Sequence, residues 1–335
     1  MFVAGLFLID APASALNNGQ GEDTRGKVKS IHVWGPQGIG GDYPYVSAQS
    51  FRYWFRRTLE RNYPEWKSSP VYTAGQGQRQ QAFTEGDPIT YWDDDLLGYM
   101  RAEKNETITR VSPFRTSTLV SVSPVQLIDD FGVMARAKKA EGDKEGVLLH
   151  SHEFYRTTLQ GLFSLDLAAV GTFTNERRSG YQNLGQATLA LAKEKNLIYH
   201  EETSTFRLPS EERITRVQTV LRALGRLEGG AKQTLHYTDV SPVFVLAAVI
   251  KSGNNPFGHV VTGTGGVPSL NAKALKQALE VFGSEFLSRI YVGRVEGFMD
   301  SAAPALAEMG FTVQHPREAL DDLANDLAQH PEWLE

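Results

Sequence analysis

Several short stretches carry side chains able to do chemistry. His150-Ser-His152-Glu153 offers two imidazoles and a carboxylate, and on a strand positions 150 and 152 share a face. A metal would need a third ligand of evident spacing, which the sequence does not supply; ordinary strand chemistry is the simpler reading. Asp93-Asp-Asp95 has the oxygen donors a divalent cation prefers. Standing just before Leu96-Leu97, the same acids also suit the first turn of a short helix. Gly35-Pro-Gln-Gly-Ile-Gly-Gly41 and Gly263-Thr-Gly-Gly266 invite a phosphate-loop reading. Neither has the Gly-Lys-Ser/Thr ending or the GxGxxG spacing that phosphate cradling requires. HExxH and GxSxG are also missing, and zero cysteines remove thiol catalysis and thiolate metal sites. An enzyme reading therefore has no evident site.

Nucleic-acid contact types are better represented. Asn17, Asn18, Arg25, Lys27 and Lys29 precede a helix whose N-terminal amides can bind a phosphate. Ser47 and Gln49 add donors there, and Arg52 and Arg56 add charge. Gly229-Gly-Ala-Lys-Gln233 places two glycines, Gly229 and Gly230, where a backbone can approach a polyanion without a Cβ in the way, with Ala231, Lys232 and Gln233 alongside.

Composition sets the frame around these groups. The 335 residues are 41% hydrophobic and 22% charged, ordinary for a globular chain of about two domains' length. Net charge is 34 minus 39, or −5, which argues against a generic nucleic-acid binder. The charge is segregated, however. Arg25 to Arg61 holds seven basic residues against Asp42 and Glu60, whereas Glu318 to the end holds six acids and no base. A polyanion can dock on the first stretch despite the total; two unrelated solvated faces are the plainer alternative. The apolar start Phe2 to Ile9 lacks the basic residues of a secretory leader and reads as a strand buried on both faces. No apolar run approaches the ~18 residues that span a bilayer. The absence of cysteine suits a cytoplasmic location.

The elements that must position the candidates follow from periodicity. Ser47 caps a helix running to about Arg61, with Ala48, Phe51, Phe55 and Leu59 on one side. Strands are expected at Thr116–Ser123, Glu153–Thr157 and Leu162–Phe173, the last two parted by Gln160-Gly161. A second helix covers about Glu211–Leu224, with Ile214, Val217, Val220, Leu221 and Leu224 as its buried stripe. Val243–Ile250 is the most apolar strand; a helix (Asn271–Phe282), a strand (Arg289–Val295) and an acidic terminal helix follow. Core order is strand, helix, strand, strand, helix, strand: an α+β, ferredoxin-like (RRM-like) split βαβ frame with long insertions. Such open sheets are frequent RNA platforms, though no RRM-type aromatic pair is evident.

Three segments carry a family resemblance: Asp42-Tyr-Pro-Tyr-Val-Ser-Ala-Gln-Ser-Phe-Arg-Tyr-Trp-Phe-Arg-Arg57, Glu211-Glu-Arg-Ile-Thr-Arg216 and Leu224-Gly-Arg-Leu-Glu-Gly-Gly-Ala-Lys-Gln233. In these the chain resembles the repeated backbone subunit of type I CRISPR Cascade complexes, the DevR autoregulator group of the RAMP superfamily, from residue 1 to about 295. The resemblance implies a non-catalytic crRNA-binding subunit, stacked head to tail with copies of itself and joined by other Cascade subunits. The target DNA strand would pair with the guide, and no cofactor, metal or membrane would be involved. It also implies a palm (1–61, 111–173 and 208–295), a finger-like insertion (62–110) and a thumb-like insertion (174–207), leaving 296–335 as an acidic extension. That extension is expected to meet a neighbour's basic patch. Carried over as RNA contacts are Ser47, Gln49, Arg52, Arg56 and Gly229 to Gln233, with Asn17, Asn18 and Arg25 in the preceding loop. Type III relatives cut target RNA with a carboxylate after the first strand, where Glu22 and Asp23 stand here. A metal-dependent RNA endonuclease is thus the alternative, beside a stand-alone RNA-binding protein.

Overall fold

Phe2–Ile9 has no polar residue to turn toward water, and the strand it forms, β1 (Phe2–Ser14), is covered on both faces. The computed structural model describes residues 1–19, 25–35, 40–74, 81–102, 107–134, 148–176 and 182–335. Glu22, Asp23, Gly38, the glutamine-rich run 75–80, Arg177, Arg178 and Tyr181 lie outside the described residues, as does the side chain of Arg25.

The main sheet also holds β2 (Ser30–Trp34), β3 (Gly40–Val46), β4 (Leu119–Ser121), β5 (Ile128–Met134), β6 (Leu148–Asp166), β7 (Phe244–Ile250), β8 (Tyr291–Arg294) and β9 (Val313–Gln314), with the short strands Arg25–Gly26 and Phe114–Thr116 paired to β6. The helices are α1 (Ala48–Asn62), α2 (Trp92–Leu97), α3 (Gln186–Glu194), α4 (Ser210–Leu224), α5 (Ala272–Val281), α6 (Ala303–Glu308) and α7 (Pro316–Gln329). Sheet order is β9-β8-β7-β1-β6-β4-β3-β2. Its centre, β7-β1-β6-β4, is antiparallel and carries the 4-1-3-2 order of the split βαβ frame, α1 and α4 being the two crossovers.

Both faces of that centre are packed. Val3, Phe7 and Ile9 meet Phe51, Phe55, Val217 and Leu320 from α1, α4 and α7. Ala4, Leu6 and Leu8 meet Phe257, Leu275 and Leu306 from the segment that carries α5 and α6. An RNA platform on an open central sheet is thereby excluded, because the face is filled by hydrophobic side chains.

Two expectations change, and a lobe and a hairpin stand out. β6 is one continuous strand through Gly161 rather than two. A Cβ there would lie 2.5 Å from Leu119 Cδ2 and from Phe7 Cζ, so this glycine makes room for packing and does not break the strand. Residues 172–208 form a small lobe, a three-stranded sheet (Thr172–Thr174, Ile198–His200, Thr205–Arg207) with α3, closed by Phe173, Leu184, Ala192 and Leu208. The β5–β6 hairpin also leaves the main sheet, with Phe131, Val133 and Leu149 exposed. Finally, the acidic terminus folds back on its own chain. Asp321 pairs with Arg226 (2.6 Å) and Asp322 with Arg289 (3.1 Å). Leu320, Leu323, Leu327 and Leu334 join the core.

Candidate nucleic-acid interface

Ser47 caps α1 as its residue type demands: the Ser50 N–H donates to Ser47 Oγ (3.3 Å). The same corner absorbs Asn17, which is buried. Its side-chain amide donates to the Tyr45 carbonyl (3.3 Å), and its Oδ1 accepts from Ser50 Oγ (3.0 Å). Asn17 and Ser47 therefore build the helix entrance, leaving Asn18 and Gln49 exposed beside it. Lys27 is half-buried next to it, and the backbone of Arg25 runs parallel to β6 at Ser151.

The two flanks of α1 face different parts of the molecule. Arg52 and Arg56 point toward α2. The Arg52 guanidinium donates to the Leu97 carbonyl, to Ser112 Oγ (3.1 Å) and to the Phe114 carbonyl (3.4 Å); burial, then Arg56, lowers its pKa. Arg56 lies 3.5 Å from buried Asp93. The structure therefore does not bring these two arginines to the glycine turn, and Arg52 is occupied by protein acceptors. On the other flank Tyr53, Arg57 and Arg61 border a groove of about 530 Å³ closed by Glu228, Gly229 and Tyr237. Tyr53 and Tyr237 are 61% and 80% exposed. Among the described residues the arginines are paired at the surface, Arg57 with Glu60 (2.8 Å) and Arg61 with Glu228 (3.6 Å), pairs weak enough for a phosphate to displace.

The glycine turn owes its glycines to backbone shape. Gly229 and Gly230 have φ of 150° and 105°. Added Cβ atoms would come within 2.5 Å of Trp54 Cγ and 2.7 Å of Leu16 Cδ2, which is contact with protein, not an opening toward a ligand. The Ala231 N–H donates to the Leu16 carbonyl (3.1 Å). Gln233 clamps the loop, its side chain donating to the Gly229 and Thr238 carbonyls and accepting from the Thr238 N–H (3.0 Å). Ala231 and Gln233 are thus scaffold, and the residue they present is Lys232, itself in the left-handed region at φ 51°. Its Nζ lies 3.1 Å from His152 Nδ1.

His150 and His152 share a strand face, their rings 5.0 Å apart. Lys232 is the partner of His152, and among the described residues no group of three or more His, Cys, Asp or Glu stands close enough to hold an ion. Asp93, Asp94 and Asp95 are buried at the start of α2 and already engaged. Asp93 accepts from the Ser69 N–H (2.8 Å), Asp94 from the Asp87 N–H (2.9 Å), and Asp95 from Arg110, Arg216 and the Gly171 N–H.

The sequence model for the CRISPR-associated negative auto-regulator DevR/Csa2 family matches residues 8–267. This chain belongs to that family. Solved structures of similar fold include a chain of a "CRISPR RNA-guided surveillance complex, pre-nicking", with a TM-score of 0.59 at 14% identity over 97% of this chain and all of the other. A chain of a "CRISPR RNA-guided surveillance complex" gives 0.54 at 16% identity over 97% and 99%. The comparison with curated proteins returned no match. Within the DevR/Csa2 stretch, Glu211-Glu-Arg-Ile-Thr-Arg216 is a packing motif: Arg213 and Arg216 are fully buried. Arg213 donates to the carbonyls of Val170 (2.7 Å) and Leu334 (2.6 Å), and Arg216 to Pro88 O (2.8 Å) and Asp95 (2.7 Å). The stretch 268–335, beyond the matched residues, completes the sheet with β8 and β9 and covers it with α5 to α7.

Sequence reasoning missed Tyr53, Arg57, Arg61, His236 and Tyr237 as members of this surface. Arg57 and Arg61 stand one and two turns beyond Tyr53 on the same flank, a spacing visible in the sequence. What the loop 227–240 brings to them is not visible there.

Proposed function

We propose that this protein is a non-catalytic crRNA-binding backbone subunit, of which several copies line up along one guide RNA in a CRISPR surveillance complex. The observation that carries the reading is the convergence, in a DevR/Csa2 chain, of the exposed flank of α1, the glycine turn with Lys232 and the base of the β5–β6 hairpin. Arg57, Arg61 and Lys232 would engage phosphates, with Asn18, Lys27 and Gln49 at the groove's entrance and the β5–β6 hairpin as the thumb that reaches between nucleotides. Arg, Lys and backbone contacts fix the strand's path without reading its letters, which leaves sequence to base pairing with target DNA. A cytoplasmic setting fits, and no described helix is long and apolar enough to cross a membrane. The test is binding of the full chain to single-stranded RNAs of increasing length. Stepwise, evenly spaced addition of copies is expected; one copy at every length would overturn the backbone reading, and site-specific cutting would overturn the non-catalytic one.

A further inference from the structure

We infer that the chain's hold on RNA is proton-linked: a phosphodiester seated among Lys232, His150, His152 and His236 is gripped more tightly as the pH falls from 8 to 6. This rests on the RNA-binding reading above and adds its regulation.

Among the described residues this face is short of anions. On β6, His150 and His152 alternate onto the hairpin face that also carries Phe154. His236 stacks on Phe154 at 5.3 Å and is held to Lys232 by its N–H donating to the Lys232 carbonyl (2.9 Å). The loop thus delivers an ammonium and a third imidazole to the two on the strand. Gly26 covers the junction, its position lying within 3.0 Å of His152 Nδ1 for an added Cβ. Among the described residues, carboxylates near this face come from two places. Asp130 pairs across from His152 on β5, and Glu153, on the opposite face of β6, accepts from the Val28 N–H (3.1 Å). Burial lowers the Lys232 pKa, and Glu153 opposes that shift. Gly132, opposite His150, brings no charge. One ammonium and three imidazoles therefore converge on a site whose own strands supply a single facing acid.

The consequence is visible in His152. Desolvation, then Lys232, His150 and His236, lower its pKa against the raising effect of Asp130. Without an anion, the imidazole stays neutral and Nδ1 accepts from the ammonium. A phosphodiester placed there reverses the balance, since a negative charge within a few ångströms favours the protonated ring. Binding then takes up protons, and linkage requires affinity to rise as pH falls, by at most tenfold per pH unit for each proton taken up. The left-handed backbone of Lys232 fits the same purpose: strain is tolerated where it aims a side chain at a ligand.

The test uses the full chain and a labelled oligouridylate, whose bases take up no proton between pH 6 and 8, at constant ionic strength. Wild-type affinity should tighten about tenfold from pH 8 to pH 6. The variant carrying His150→Gln and His152→Gln should lose most of that slope and bind about tenfold more weakly than wild type at pH 6. His236→Gln, in the exposed loop, serves as a second variant should the hairpin pair fail to fold. RNA bound with pH-independent affinity overturns the inference and leaves the RNA-binding reading standing. A full slope in the variants overturns the assignment to these histidines. Failure of wild type to bind RNA at any pH overturns both.

Discussion

Asp95 is the most exacting place to test the packing account. Its carboxylate is fully buried and serves two buried guanidiniums, Arg110 and Arg216 (2.7 Å), together with the Gly171 N–H (3.0 Å). Through these it ties α2, α4 and the loop before the 172–208 lobe together. Asp95→Asn keeps the volume and one acceptor but removes the carboxylate that the two arginines share. Arg110 retains the Ala169 and Thr172 carbonyls, and Arg216 the Pro88 and Ile89 carbonyls and the Glu212 carboxylate (2.7 Å), so neither is fully orphaned. Breaking a buried pair by removing one partner costs about 3–5 kcal/mol, and the retained carbonyls put this case near the lower end, about 3 kcal/mol. That is a large share of the ~5–15 kcal/mol that holds a domain folded. Urea unfolding followed by circular dichroism measures it as a drop in midpoint at unchanged slope. A loss below about 1 kcal/mol would refute the claim that Asp95 is the carboxylate through which the two arginines hold this junction.

Further outcomes follow from the same geometry. Burial, with Asp94 adding to it, pushes the Asp93 carboxyl up to about 6 from its ordinary value, so its ionisation opposes folding: the contribution is most favourable below pH 4 and fades as pH rises through 6. Asp93→Asn, which can still accept from Ser69, should match wild type in thermal unfolding near pH 3.5 and exceed it at pH 8 by about 1–3 kcal/mol; equal shifts at both pH values would contradict this. Gly229→Ala forces a Cβ against buried Trp54 at a φ that disfavours side chains, and should cost about 1–3 kcal/mol in thermal unfolding. Arg57→Ala with Arg61→Ala should shrink the slope of log affinity for RNA against log salt by up to about 1.4. Arg52→Ala should lower the melting temperature and leave that slope alone, because its guanidinium serves Leu97, Ser112 and Phe114.

Much of the frame was legible because periodicity and burial are local. Phe2–Ile9, the Ser47-capped helix and Phe244–Ile250 each announce their environment in their own residues. Gly161 misled because a glycine that admits Phe7 and Leu119 looks in sequence like one that ends a strand. Arg213 and Arg216 were hidden because charge ordinarily marks a solvated face, and their carbonyl partners come from residues 88–89, 167–170 and 334. The candidate site divided for a similar reason. Arg52 and Arg57 sit on one helix with similar chemistry, and only the packing of α2 against one flank and the loop 227–240 against the other separates a structural arginine from an exposed one. His152 and Lys232, 80 positions apart, meet only because the glycine turn folds over the base of the hairpin.

Native mass spectrometry of the full chain, purified with whatever nucleic acid it retains, bears most directly on the central claim. The account predicts a discrete RNA carrying several copies of the chain at a fixed number of nucleotides per copy. A nucleic-acid-free monomer that stays monomeric when guide-length RNA is added would contradict it.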